Sequence, residues 1–181
     1  MLKWLMQRRI AAFEQTYGYD AGYLREMLEA DTGALMRFFK VAGMAQYRKD
    51  VPAAVWYAAG LAGGLHEDCG PCTQLGVTMA EREGVPAAVL RAILAGDAEA
   101  LPAEVALGLR FAQATLAHDP AADELRAEIV HCWGPRALVS LAFALAAARV
   151  FPTVKYALGH GQACTRVTVG GAPIARLKQA A

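Results

Sequence analysis

The chain has little of what a sheet protein, a membrane protein or a nucleic-acid binder would need. β-Branched residues are few, and nowhere does a sustained alternation of apolar and polar residues mark a half-buried strand. No charge of one sign dominates. Eighteen Lys and Arg offset seventeen Asp and Glu, and the basic residues are not gathered into a stripe, so no nucleic-acid partner is expected. Mean hydropathy is positive, at +0.25. Yet the longest apolar runs, Val51 to Leu65 and Ala137 to Ala148, fall short of the roughly 20 residues that cross a bilayer. The first holds Pro52 and three glycines, and the second is closed by Arg149. Buried helices or subunit interfaces account for both, so a homo-oligomer without membrane association is expected. There is no low-complexity linker and no fixed-period repeat. No uninterrupted apolar stretch follows Met1–Arg9, which points to a cytoplasmic protein.

What is present favours helix. Of 181 residues, 56% are hydrophobic and 19% charged, with Ala and Leu prominent. Such a chain forms a real core without staples, and the expected fold class is all-α in a single compact domain. It divides into an N-terminal helical arm over residues 1–50 and a helical core over 51–181.

Gly, Pro and Asp punctuate the chain into helix-sized pieces. A first helix is predicted from Leu2 to Tyr17, stopped by Gly18. A second, over Ala21 to Glu29, pairs with a third that Asp31 caps. Pro52 suits the first turn of a fourth helix, which carries Val55, Trp56, Ala59 and Ala62 to a break at Gly63-Gly64. A fifth opens at the cysteine motif and stops before Gly84-Val85-Pro86. Later helices are predicted over Pro86 to Ala95, Pro102 to Leu116, Ala121 to Cys132, Pro135 to Arg149 and Thr153 to Leu158. Beyond Thr165 only Arg166 to Val169 reads as a possible strand.

The chemistry centres on His66-Glu67-Asp68-Cys69-Gly70-Pro71-Cys72. Cys69 and Cys72 are three apart, so on a helix they share a face and their sulfurs can form a reversible disulfide. With Asp68 as cap, Cys69 falls in the first turn and Cys72 about one turn in. The free N–H groups and dipole of the helix start favour a thiolate there. Pro71 is tolerated because the first turn needs no donor from it. Glu67 and Asp68 oppose the thiolate electrostatically, while a carboxylate is also a proton acceptor.

Other readings of the pair stand beside this one. A structural zinc site wants four Cys or His ligands, and the other cluster is the adjacent His131-Cys132. No metal or cofactor is therefore expected. Two cysteines can also be inert packing groups. Cys-Gly-Pro-Cys occurs in thioredoxin-like proteins, but there it follows a β-strand, whereas here a Gly-rich helical segment precedes it.

The run from Val51 through Asp97 joins an apolar helix, Cys69-Gly70-Pro71-Cys72, Met79-Ala80-Glu81-Arg82-Glu83-Gly84-Val85-Pro86 and Ala92-Ile93-Leu94-Ala95-Gly96-Asp97. In this order it resembles the carboxymuconolactone decarboxylase and alkylhydroperoxidase D family, with a weaker likeness in helix order and spacing to about Gly159. The resemblance implies an all-helical, commonly oligomeric fold. In the peroxidase branch it implies a dithiol that reduces hydroperoxides or exchanges with a disulfide-bearing partner, regenerated by a small or protein thiol reductant. That branch relays a proton through a glutamate twelve residues before the first motif cysteine and a histidine four after the second. Tyr57 and Gly76 stand at those positions here. Glu67 and His66 are the nearest substitutes by sequence, and Tyr57 can hydrogen-bond.

The resemblance selects Cys72 as the attacking thiol, while the deeper helical position of Cys72 argues that Cys69 is more accessible. Two further readings are a lactone decarboxylase, whose branch does not depend on the dithiol, and a non-catalytic redox-sensing interaction protein. His131, Cys132 and Trp133 read as a helix end with core packing. His160 and Cys164 could approach the site in an oligomer, and Trp56 and Phe143 read as core or interface.

Overall fold

The computed structural model describes residues 2–161 and 166–175. The expected all-α character holds. Among the described residues the order is α1 (Leu2–Tyr17), α2 (Gly22–Ala30), α3 (Thr32–Ala45), α4 (Ala53–His66), α5 (Gly70–Arg82), α6 (Ala87–Ala95), α7 (Ala103–Leu116), α8 (Ala122–Trp133) and α9 (Pro135–Ala157). A short hairpin follows, β1 (Arg166–Val169) and β2 (Ala172–Ala175).

Helix α4 is the axis of the bundle, packed by α5, α6, α7 and α9. Its sequence explains why so many neighbours fit. Val55, Ala58 and Ala59 are fully buried, and small side chains let helices approach closely. A methyl on Gly108 of α7 would stand 2.7 Å from Val55 Cγ1, and one on Gly76 of α5 would stand 3.0 Å from Leu61. Burial of Leu90, Ile93, Leu109, Ile129 and Leu141 around this axis supplies the main core, at about 1.5–3 kcal/mol for each large side chain.

A second, smaller core joins α1, α2 and α3 through Met6, Ile10, Tyr19, Tyr23, Leu24, Leu28 and Leu35. Leu75 of α5 and Val154 and Leu158 of α9 pack against it. The N-terminal helices are thereby seated on α5 and on the C-terminal end of α9. Asp31 caps α3 as expected, its carboxylate accepting from the Gly33 and Ala34 amides at 2.8 and 3.1 Å.

Three local expectations are corrected. Gly63-Gly64 does not break α4, which runs on to His66; α9 crosses at that point, and a methyl on Gly63 would lie 2.9 Å from the Leu145 carbonyl. The pieces expected over Pro135–Arg149 and Thr153–Leu158 are one 23-residue helix that continues through Pro152. Proline removes a hydrogen bond to the carbonyl four residues back. Packing on the N-terminal helices offsets that loss, since Phe151 meets Phe38 edge-on at 5.2 Å and Val154 joins the second core. The same continuity makes α9 long and apolar enough by length and composition to cross a membrane, contrary to the shorter run read from sequence. Within the bundle its Ala137, Leu141, Ala144, Leu145 and Ala147 are buried.

The third correction is the hairpin. Arg166 to Val169 does form a strand, and it pairs antiparallel with Ala172–Ala175, Val167 opposite Ile174 and Val169 opposite Ala172. Gly170 and Gly171, at φ +59° and +75°, make the two-residue turn that such a connection favours. Two strands alone are marginal in water, so outside support is required. Val167 and Val169 insert into the main core, and the Gln74 side-chain amide brackets Thr168, accepting from its N–H at 2.7 Å and donating to its carbonyl at 3.1 Å. Gln74 of α5 thus takes the place of a third strand.

Candidate functional site

The cysteine motif lies where α4 hands over to α5. Asp68, at φ +54°, turns the chain, and the helix begins one residue later than expected. Cys69, not Asp68, holds the N-cap position with extended backbone, because the left-handed turn at Asp68 places that residue outside the helix. Gly70 and Pro71 fill the next two positions, where proline costs no intrahelical hydrogen bond. Cys72 follows at the third. The Cys69 carbonyl accepts from both the amide and the hydroxyl of Thr73, each at 2.9 Å, which locks the turn.

This geometry brings the two sulfurs to 2.6 Å, where they share a hydrogen bond. Cys69 is fully buried and Cys72 partly exposed. Accessibility therefore runs opposite to the reading from helical position. Cys69 faces back into the α4–α5 turn, and Cys72 opens toward the surface one turn on.

The pair ionises unequally. The hydrogen bond shared with Cys72 brings the Cys69 thiol down to about 7 against the opposing effect of burial, with help from the Cys72 backbone N–H and Lys155, while Asp68 works the other way. Cys72 is pushed up by its hydrogen bond to Cys69 and by burial, a rise that Tyr19 and Lys155 partly counter. Cys69 is thus the more acidic of two coupled thiols.

Three groups around the dithiol were not singled out in the sequence. The Tyr19 hydroxyl lies 3.7 Å from Cys72 Sγ. Lys155 of α9 is buried, with Nζ 4.6 Å from the centre of the Tyr19 ring and 5.3 Å from that of Tyr23. Burial pushes both tyrosine hydroxyls upward, so they stay protonated as hydrogen-bond donors. The signal for Lys155 was a lone cation within the apolar stretch Val150 to Leu158. Tyr19 and Tyr23 lie some fifty residues before the motif, and no spacing rule connects them to it.

The other candidate residues fall elsewhere. Glu67 turns toward α9, where Arg149 Nε donates to Oε1 at 2.6 Å and Thr153 reaches Oε2 at 3.4 Å. His66 is exposed in the last turn of α4. The Tyr57 hydroxyl donates to Glu83 at 2.7 Å. Glu83 lies thirteen residues beyond Gly70, a rise of roughly 20 Å, so Tyr57 serves the opposite end of α5. Gly76, the position of the resembled family's histidine, is pressed against Leu61 and leaves no room for an imidazole unless Leu61 moves. The structure thus brings together Cys69 and Cys72 and does not bring Glu67, His66 or Tyr57 to them.

His160 pairs with Glu26 at 2.7 Å and ties the end of α9 to α2. His131 and Cys132 are exposed, while Trp133 packs against the main core. Trp56 also packs there and donates to the Tyr47 carbonyl at 3.2 Å, and Phe143 meets Tyr47 edge-on. Cys164 lies outside the described residues.

Among the described residues no three His, Cys, Asp or Glu side chains are grouped to hold a metal ion. An open cleft of about 560 Å³ between α7 and α8, lined by Arg110, Gln113, Asp119, Glu124 and Glu128 among others, shares no residue with the dithiol. Comparison with protein-family models, curated proteins and solved structures gives no match.

Proposed function

We propose that the chain is a thiol-dependent oxidoreductase of the alkylhydroperoxidase D-like kind, cycling Cys69 and Cys72 between dithiol and disulfide. The observation that carries this reading is the pair itself: two sulfurs 2.6 Å apart at a helix start, one fully buried and tuned to ionise near neutral pH, the other partly exposed.

Cys72 is the sulfur a substrate can reach, so it attacks, and Cys69 resolves. With a hydroperoxide, the Cys69 thiolate takes the Cys72 proton, the Cys72 sulfur takes the distal oxygen as the O–O bond breaks, and Cys69 passes that proton to the departing alkoxide to give the alcohol. The Cys69 thiolate then displaces hydroxide from the Cys72 sulfenic acid to form the disulfide, and the hydroxide takes a proton from solvent. With a disulfide substrate, Cys72 gives its proton to Cys69 and displaces one thiolate, which takes that proton, and the Cys69 thiolate then displaces the second from the mixed disulfide. An external dithiol reductant attacks partly exposed Cys72, the low-pKa Cys69 thiolate leaves, and the reductant's second thiol then displaces Cys72 from the mixed disulfide, the reductant leaving as its own disulfide.

The test is turnover of an organic hydroperoxide and, separately, of a small disulfide with a dithiol reductant in excess. Cys72→Ser is expected to reduce both rates to the uncatalysed background. Cys69→Ser, assayed without reductant, is expected to consume one equivalent of substrate and to hold a sulfenic acid or mixed disulfide on Cys72 with no intramolecular disulfide. Undiminished turnover in both variants removes the proposal.

A further inference from the structure

A buried lysine needs a partner, and the surroundings of Lys155 narrow the choice. Lys155 is 2% exposed, and none of the ion pairs found among the described residues includes it. Burying an unpaired ammonium is costly. The faces of Tyr19 and Tyr23 meet it at 4.6 and 5.3 Å, and cation–π contact offsets part of that cost. An aromatic face carries no net charge, so a further anionic partner would lower the cost more.

The Tyr19 ring that covers Lys155 on one side presents its hydroxyl to Cys72 on the other, at 3.7 Å. The charged and titratable groups acting on the dithiol are Lys155 from α9, Asp68 from the preceding turn, and Tyr19 and Tyr23 from the N-terminal region. Of these, Lys155 alone is cationic. Tyr19 is also buried, so its hydroxyl and the sulfur meet with little competition from solvent.

We infer that Lys155 is a positioning residue for the dithiol: clamped between Tyr19 and Tyr23, it is the counter-charge to the Cys69–Cys72 thiolate, and the Tyr19 hydroxyl carries a second stabilising contact to Cys72. In the resembled family a glutamate and a histidine tend the thiols. Here a buried cation from α9 and a phenol from the connection between α1 and α2 stand in that place, while Tyr57 is turned to Glu83 and Gly76 to packing on Leu61. The N-terminal helices then complete the site as well as cover it. This inference deepens the dithiol reading and rests on it for its functional meaning, although the charge pairing can be measured without turnover.

The experiment uses the full chain, reduced, with Cys132→Ser and Cys164→Ser to silence the other thiols. Thiolate absorbance is followed against pH, which needs no access to Cys69, and the iodoacetamide reactivity of Cys72 is followed by peptide mapping. Lys155→Met is expected to move the first thiol ionisation up by about one pH unit, leaving about tenfold less thiolate at pH 7, and Lys155→Arg to keep it low. Tyr19→Phe keeps the ring under Lys155 and is expected to slow Cys72 alkylation about fivefold. An unchanged first ionisation in folded Lys155→Met, or unchanged Cys72 reactivity in Tyr19→Phe, overturns the inference. If Lys155→Met does not fold, Lys155→Gln takes its place, with the same upward shift expected. Absence of turnover in the parent protein would instead remove the oxidoreductase reading and leave these titration shifts standing.

Discussion

The carbonyl oxygen of Leu145 on α9 stands 2.9 Å from where a methyl group on Gly63 of α4 would be. Ala148 Cβ closes the same space at 3.2 Å. This crossing fixes how near α9 comes to the central helix, and α9 in turn carries Lys155 toward the dithiol. Gly63→Ala is therefore expected to force the two helices apart and to destabilise the protein by about 1–3 kcal/mol, despite alanine's better helix propensity. Urea unfolding checks this. A stability equal to or above the parent's would show that the crossing is loosely packed.

Thiol ionisation makes stability depend on pH with a definite sign. The Cys69 thiol is lowered to about 7, below its unfolded value of about 8.5. Between these values the unfolded chain binds more protons than the folded one, so stability rises with pH and the gain is lost as pH falls through 7. Cys72 is shifted the other way and remains protonated, so above about 8.5 the trend reverses. The reduced protein is expected to gain about 1–2 kcal/mol from pH 6.5 to 8.5, and Cys69→Ser to lose that rise. Thermal or urea unfolding under reducing conditions at stepped pH measures it.

Tyr57 offers a contrast between stability and activity. Partial burial works against ionised Glu83, yet the Tyr57 hydroxyl and Arg48 together hold its carboxyl below the usual range. That stabilisation is present above about pH 4.3 and lost as pH falls through the lowered value. Tyr57→Phe is expected to cost at most about 1 kcal/mol at neutral pH, because Glu83 is largely exposed and screened, with the gap to the parent closing in acid. Dithiol turnover is expected to be unchanged, since the hydroxyl sits at the far end of α5. A large fall in turnover without a fall in stability would place Tyr57 in the reaction.

Much of the helical order was legible because local signals and burial agree. Gly18, Asp31 and the Gly84-Val85-Pro86 stop mark helix ends at which no tertiary contact has to override the chain's own preference. Gly63-Gly64 and Pro152 misled for the opposite reason. Both are breakers by propensity, and close packing of α4 on α9, and of α9 on the N-terminal helices, wins over it. The hairpin was half-legible: Val167 and Val169 alternate, but its support comes from the side chain of Gln74, nearly a hundred residues earlier. In the site, Cys69 and Cys72 follow from spacing alone, since one helical turn fixes their approach. Tyr19 reaches the pair, and Lys155 the rings of Tyr19 and Tyr23, only through folding, which also sets the commitments of Glu67 to Arg149 and of Tyr57 to Glu83.

The most direct measurement is a redox titration of the intact protein in dithiol–disulfide buffers, with free thiols trapped by alkylation and the linkage located by peptide mapping. The expected result is one reversible two-electron transition, confined to a Cys69–Cys72 disulfide and abolished by either serine substitution. Oxidation that spares both residues, or that links either of them only to Cys132 or to another chain, would contradict a dithiol built to close on itself.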